Sequence, residues 1–501
     1  MGSFRFADIL LTAAVLLITF AILYMVERTR SEKRREKEES DTTKEKHHSD
    51  NYQDNLIPHE FLTGGTTMNP LAVELNELIQ KNNPHTFEML SDLGKNLFFP
   101  KGILSQSAEA KEKAHKFNAT IGTATEKGGP MYLQCFQEKL KDFDPKDIYP
   151  YAPPAGKPEL RKLWREKMLR ENPSQQDKEF GMPVVTNALT HGLSIVADMF
   201  MDAGDHVVLP DMMWGNYNLT FVTRRGAVVK KYKTFTDAGG FNVAAFKACL
   251  QQSAAEKGKA IVLLNFPNNP SGYTPTVAEG DALVAAIKEV AESGCNLVVV
   301  TDDAYFGLFY EDSLKESLFG KLANQHPRLL SVKLDGATKE EFVWGFRTGF
   351  ITYADGKAGN ASEVLTALEK KTLGIIRATI SNCPHPSQTF VINALQSPDF
   401  DQQKQEKFEV MQGRALKVKE VLATPKYSDS WNFYPFNSGY FMCLELKRVD
   451  AEKLRLHLLD KYGVGTISIG SKDLRIAFSC IEQEDIQELF DLIHQAEQDL
   501  A

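Results

Sequence analysis

The chain has 501 residues, 43% hydrophobic and 25% charged, with a formal net charge of −8. That length predicts two or three packed units, and the acidic balance argues against a nucleic-acid partner. The six cysteines (Cys135, Cys249, Cys295, Cys383, Cys443, Cys480) form no CxxC or metal-ligand spacing, so no disulfide framework and no metal is expected, and a reducing compartment is the simpler setting.

Residues 1–8 are a short flank. Residues 9–26, ILLTAAVLLITFAILYMV, run without a charge, near the minimum for a membrane-spanning helix. No small-residue cleavage site follows, as a signal peptide would require. The next stretch, ERTRSEKRREKEE, carries far more lysine and arginine than the single Arg5 on the other side. The positive-inside rule then predicts one N-terminal anchor with a cytoplasmic catalytic body. Residues 27–55 mix both charge signs without an apolar period and read as a disordered tether. The folded body is expected to comprise an N-terminal arm with part of a small domain (56–145), a large domain (146–385) and a C-terminal small domain (386–501).

Within the body, residues 61–80 and 105–117 read as helices, followed by the small-residue loop NATIGTATEKGGPM. From about 183 short apolar runs alternate with helical stretches: PVVT, HVVLP, AVVKKYK, AIVLLNF, NLVVVTD, LLSVKL and GFITYA. Seven such strands predict an α/β fold with a mostly parallel sheet covered on both faces. After 385 the chain becomes helix-rich, with strands such as GYFMCLEL and LRIAFS.

Ligands in open α/β sheets bind at the carboxyl ends of strands. Here those ends carry TNALTHG, PDMMWGNY, NFPNNPSG, TDDAY and GATK…R. Thr190, at the start of a helix, suits a phosphate, although a plain N-cap has the same composition. Arg347 offers a planar fork to the same anion, or a surface ion pair. Lys339, at a strand end with an arginine in the same segment, has its ammonium form disfavoured by burial and like charge, which suits imine formation. Lys333 is its rival, but it falls inside a strand. Two adjacent aspartates, Asp302 and Asp303, end a strand that should be buried, and a buried carboxylate needs a cationic partner such as a pyridinium nitrogen, although an aspartate helix cap has the same composition. Trp214 could stack on such a ring or fill the core. No GxGxxG follows a strand, which argues against a dinucleotide enzyme.

Taken in order, the motifs YAPPAGKPELR, VVTNALTHGL, MWGNY, NFPNNPSG, TDDAY, ATKEEFVWGFRTGF, SGYF and LRIAFS closely resemble the class I/II aminotransferases, in particular the aspartate and aromatic aminotransferases, over about residues 118–480. These are pyridoxal-phosphate enzymes of fold type I, so the resemblance implies that cofactor and a homodimer. Carried over residue by residue, it makes Lys339 the Schiff-base lysine and general acid/base. Asp302 would pair with the pyridine nitrogen, Tyr305 and Asn269 with the phenolic oxygen, and Trp214 would stack on the ring. Thr190, with Leu189 beside it, Thr338 and Arg347 would hold the phosphate, joined by Tyr151 from the neighbouring subunit. Arg475 would clamp the substrate α-carboxylate, with Gly122, Asn269 and Trp214 lining the substrate pocket. Arg377, in IIRATISNCPHPSQ, resembles a partner-subunit arginine for a distal carboxylate, or else is an interface arginine. Two positions depart from the family pattern: Gly336 where serine is frequent, and Ala188 where glycine is common.

The expectation is amino-group transfer between an L-amino acid, dicarboxylic or aromatic, and a 2-oxo acid. A decarboxylase or C–S lyase would use the same lysine and aspartate. A membrane-tethered binding module that had lost turnover remains a third reading.

Overall fold

Seven short β-branched and apolar runs form one sheet: β1 (Val184–Asn187), β2 (His206–Pro210), β3 (Val228–Tyr232), β4 (Lys259–Asn265), β5 (Asn296–Asp302), β6 (Leu329–Gly336) and β7 (Thr348–Ala354). Their spatial order is β1-β7-β6-β5-β4-β2-β3. Neighbours from β3 to β6 pair in parallel, and β7 is antiparallel to both β6 and β1. The sheet is therefore mixed, although most of its pairs are parallel as expected. The cause is the short link 337–347. A parallel return needs a crossover of about a dozen residues or more, usually through a full helix, and this link holds only one helical turn, Ala337–Glu340, and the 3₁₀ turn Trp344–Phe346. The reversal brings the start of β7, with Arg347 before it, to the edge where the other strands end.

The computed structural model describes residues 68–82, 90, 95, 103–120, 122–138, 143–357 and 359–501. The expected anchor (9–26) and tether (27–55) lie outside these residues. Among the described residues, no helix is long and apolar enough to cross a membrane. The first two expected helices run over Pro70–Asn82 and Ile103–Lys113. Pro70 suits a first helical position, where no N–H is needed. The second helix stops short of the expected 117 because Phe117–Asn118 pairs in parallel with Val464–Gly465.

Apart from the edge strand β3, the sheet strands are buried almost throughout, as helices on both faces require. The helices used below are α1 (Pro158–Glu171), α2 (Ala188–Phe200), α3 (Val243–Lys257), α4 (Val277–Glu292), α5 (Ala361–Thr379), α6 (His385–Leu395), α7 (Phe400–Leu422) and α8 (Ile486–Leu500). Local sequence sets their ends. Thr276 and Glu279 form a reciprocal capping box at α4, and Gly258 ends α3 in the left-handed conformation.

After α7 come β8 (Trp431–Phe433), β9 (Phe441–Leu446), β10 (Ile467–Ile469) and β11 (Asp473–Ala477), an antiparallel sheet in the order β8-β9-β11-β10. One buried apolar core runs from the large sheet into this second one. Gly272, at φ +76°, lets the loop after β4 lie against β9, for a Cβ there would stand 1.9 Å from the Phe441 carbonyl oxygen. That contact brings β9 and its neighbour β11, which carries Arg475, to the carboxyl edge of the large sheet.

Candidate active site

Strand alternation sorts the acidic pair that ends β5. Asp302 is 3% exposed and lines a cavity at the carboxyl edge. The next residue, Asp303, pairs elsewhere with Lys333, and Ser317 Oγ donates to its Oδ2 at 2.6 Å. Lys333 also lies 3.3 Å from Asp335 Oδ2. The rival lysine is thus locked in a buried ion triad, and Lys339 is the lysine that reaches the cavity.

The cavity has a volume of about 140 Å³ and opens to solvent. It gathers nine of the expected residues: Gly122, Leu189, Thr190, Trp214, Asn269, Asp302, Tyr305, Lys339 and Arg475. Trp214 is on the wall, partly buried, with its ring edge-on to Tyr217 at 5.5 Å. Thr338 is buried beside Lys339, and its Oγ1 has no hydrogen-bond partner among the described residues. Arg347 is exposed next to the Lys339 turn, with Nη1 donating to the Trp344 carbonyl at 3.1 Å. Tyr151 and Arg377 do not enter the cavity of their own chain. Tyr151 is 90% exposed, and Arg377 is exposed with Nη1 donating to Ser381 Oγ at 2.6 Å.

Two polar residues on the wall escaped the sequence reading. Tyr217 Oη donates to Asp302 Oδ2 at 2.7 Å. It stands three residues after Trp214, one helical turn on, and that spacing was the available signal. Asn265, the last residue of β4, donates from Nδ2 to the Asp302 carbonyl at 2.9 Å. Its Oδ1 accepts the Asn269 N–H at 2.9 Å, tying the end of β5 to the loop that carries Asn269. Helix α2 begins at Ala188 rather than near Thr190, with Ala188 at φ +62°. A Cβ on Gly349 would stand 2.7 Å from the Ala188 carbonyl carbon, and one on Gly336 would stand 2.6 Å from the Gly349 Cα. The close packing of β6, β7 and α2 explains Gly336 where serine was expected from the family pattern.

Burial pushes the Lys339 ammonium down to about 8; Asp302 opposes the shift and Arg347 adds to it. Its Nζ lies 5.1 Å from the centre of the Tyr305 ring. Burial raises the Asp302 carboxyl, while the Tyr217 hydroxyl, Lys339 and the Ala304 N–H hold it down. Burial and the Asp302 charge keep Tyr217 protonated, hence a donor, far above ordinary tyrosine titration. Arg475 is 1% exposed, with Nη1 donating to Asn269 Oδ1 at 3.0 Å and Nη2 to the Thr120 carbonyl at 2.8 Å. Its guanidinium lies 4.2 Å from the centre of the Phe441 ring, and its Nε has no partner among the described residues.

This donor set has three poles. A readily deprotonated amine can bond an aldehyde, and a buried carboxylate can pair with a ring cation. The start of α2, with Thr338 and Arg347, can hold an anion. Pyridoxal phosphate carries all three complementary groups, and the unpartnered Thr338 hydroxyl fits its phosphate end. Fold and site together define a pyridoxal-phosphate enzyme of fold type I.

The family profile "Aminotransferase class I and II" matches residues 115–493, and the chain belongs to that family. It is therefore a pyridoxal-phosphate-dependent aminotransferase. It is 24% identical over 311 residues to an aspartate aminotransferase of Bacillus sp. (strain YM-2), covering 62% of this chain and 73% of the relative. It is 30% identical over 202 residues to an aspartate/prephenate aminotransferase of Thermus thermophilus, covering 40% of this chain and 47% of the relative, about half its length. The fold matches an aminotransferase from Anaerococcus prevotii with a TM-score of 0.71 at 22% identity, covering 81% of this chain and 98% of that one. A multiple substrate aminotransferase from Thermococcus profundus matches with a TM-score of 0.68 at 15% identity, covering 83% and 98%.

Proposed function

We propose that this aminotransferase moves the amino group of a dicarboxylic L-amino acid, aspartate or glutamate, to a 2-oxo acid, with Lys339 as the reactive lysine. The observation that carries the reading is the pairing, across one cavity, of a lysine held near pKa 8 with a buried, hydrogen-bonded Asp302. Lys339, Asp302, Tyr305, Asn269, Trp214, Thr190, Leu189, Thr338 and Arg347 would hold the cofactor. When bound, pyridoxal phosphate supplies an electron sink for the substrate α-carbon.

The chain's own groups do the rest. Lys339 Nζ, neutral in a useful fraction near pH 8, takes and returns the proton at the α-carbon. Arg475 fixes the α-carboxylate through its planar fork, which Asn269 and the Thr120 carbonyl orient. Tyr217 keeps Asp302 ionised by donating to the charged form. Trp214 and Phe441 supply apolar wall that keeps water from the reacting atoms.

The dicarboxylate preference is supported by relatives named aspartate aminotransferases and by Arg377. Arg377 is exposed on its own chain, as is Tyr151, together with the large aromatic surface of Tyr149 and Tyr132. These features support a homodimer in which Arg377 and Tyr151 act on the neighbouring site. We further infer that residues 9–26 anchor the protein with its catalytic body on the cytoplasmic side, on the strength of their uncharged run and the basic stretch that follows.

The test is a half-reaction panel on the full-length protein with L-aspartate, L-glutamate and L-phenylalanine, for wild type and Arg377→Ala. Loss of a surface-accessible ion pair to the distal carboxylate should weaken aspartate and glutamate by about 10-fold or more and leave phenylalanine within twofold. Equal losses for aspartate and phenylalanine would rule out the distal-carboxylate role.

A further inference from the structure

Five charged side chains meet outside the cavity, at the turn that carries Lys339. Lys167 Nζ, from α1, donates to Glu171 Oε2 at 2.7 Å, pairs with Glu340, and lies 3.3 Å from Glu341 Oε1. Lys404 Nζ, from α7, lies 3.1 Å from Glu341 Oε1, 3.6 Å from Glu340 Oε1 and 3.7 Å from Glu171 Oε1. The side chains of Lys167, Glu340 and Glu341 are only 4, 2 and 0% exposed. Taking an ion out of water costs several kcal/mol, and apolar side chains of equal volume often stabilise a fold as well or better. Stability alone does not account for this cluster.

Its placement does. Glu340 and Glu341 are the two residues directly after Lys339. The helical segment there, Ala337–Glu340, is one turn long and has no side-chain N-cap, and a single turn does not hold itself. Its backbone is also held by Tyr440, whose hydroxyl donates to the Lys339 carbonyl at 3.0 Å. Lys404 and Tyr440 both come from the part of the chain after α6 that also carries Arg475. The backbone bearing the reactive amine is therefore gripped by the same segment that presents the carboxylate-binding arginine.

We propose that the Lys167–Glu171–Glu340–Glu341–Lys404 cluster is a positioning device that seats Lys339 against Asp302 and makes this seat depend on the docking of α7. The inference rests on Lys339 being the reactive lysine. The cluster holds three carboxylates against two ammoniums, with the exposed Arg170 Nη2 3.9 Å from Glu171 Oε1 at its rim, so removing Lys404 leaves Lys167 as the only buried cation facing Glu340 and Glu341 among the described residues. Burial already pushes the Glu340 carboxyl upward against the pull of Lys167 and Lys404. Without Lys404, protonation and loosening of the turn follow. The groups that face Lys339 itself are Asp302 from β5, Tyr305 after it, Tyr217, Arg347 before β7 and Arg475 from β11. A loosened turn takes Lys339 out of this dry setting and so relieves the burial that depresses its ammonium. Its pKa then rises.

The test compares wild type, Lys404→Met, Lys404→Arg and the charge-balanced double variant Lys404→Met/Glu341→Gln, all full length. In each, cofactor is removed and the rate of Lys339 acylation is followed against pH by mass spectrometry. The limiting half-reaction rate of the loaded protein and its thermal midpoint are measured alongside. The expected result for Lys404→Met is an acylation midpoint raised by about one pH unit or more and a limiting rate lowered about 100-fold, the scale of a 1 Å misplacement. Half-saturation by amino acid should change little, because Arg475 is untouched. Lys404→Arg and the double variant should both recover most of the rate. An unchanged midpoint in Lys404→Met with a wild-type rate, or with a lowered thermal midpoint alone, overturns the proposal. A wild-type Lys339 that titrates as an ordinary lysine overturns the proposal alone, whereas a cofactor trapped by borohydride on a lysine other than Lys339 would overturn the assignment of the reactive amine, and the proposal with it.

Discussion

Tyr217→Phe isolates one hydrogen bond at the core of the site. The Tyr217 hydroxyl donates to Asp302 Oδ2 at 2.7 Å, and the only other hydrogen bond to this carboxylate among the described residues is the Ala304 N–H, 3.2 Å from Oδ1. The tyrosine ring is 1% exposed and stacked on Phe221 with centroids 5.8 Å apart, so phenylalanine keeps the packing and removes only the hydroxyl. A hydrogen bond to a charged group is worth about 1.5–3 kcal/mol. Asp302 is already raised by burial, so losing this donor makes its ionised form harder to keep. If that energy is expressed in the proton-transfer step, the limiting half-reaction rate falls about 10- to 100-fold. Stopped-flow absorbance with L-aspartate reads this rate directly. The limiting rate should drop while half-saturation stays within about twofold, because Arg475 and its partners are unaltered. A wild-type limiting rate, or a loss confined to half-saturation, would refute the argument that Tyr217 acts through Asp302.

The remaining expectations concern Lys339, Arg475 and Lys333. In the cofactor-free protein, modification of Lys339 by an acylating reagent should rise through a midpoint near pH 8, and a midpoint near 10.5 would show that burial does not depress it. The sign carries over to stability. The folded chain sheds this proton at lower pH than the unfolded chain, so this group's contribution to stability rises between pH 8 and 10.5. Arg475→Ala should raise half-saturation by about 30-fold or more for aspartate and phenylalanine alike, as removal of a buried carboxylate partner costs about 2–5 kcal/mol; a loss for only one of them would contradict an α-carboxylate role. Lys333→Met should lower unfolding free energy by about 3–5 kcal/mol, measured by denaturant, since it strands Asp303 and Asp335 in the core. It should leave Lys339 labelling in place; loss of labelling with unchanged stability would point to Lys333 as the reactive amine.

Much of the framework was legible because it depends on local pattern. All seven strands of the large sheet lie on runs of β-branched and apolar residues, and nine expected site residues line one cavity because strands present their ends to one edge. The antiparallel direction of β7 was not read, since it follows from the shortness of the 337–347 link rather than from the strand's own composition. Whether Asp302 or Asp303 faced the site could not come from the pair TDD alone. The family resemblance selected Asp302, and strand alternation with the Lys333 partner gives the physical reason. Tyr217 was overlooked as one of many aromatics, its role visible only once its hydroxyl met Asp302. The charge cluster around Glu340 was invisible for a simpler reason. Lys167, Glu340 and Lys404 are separated by more than sixty residues each, and only the fold brings them together.

The assignment of Lys339 as the cofactor-bearing residue is tested most directly by trapping. The full-length protein, loaded with pyridoxal phosphate, is reduced with borohydride, digested and mapped by mass spectrometry. The site geometry predicts a phosphopyridoxyl mass on the peptide containing Lys339, absent in Lys339→Ala. The same mass on the Lys333 peptide, or on no lysine at all, would contradict the account.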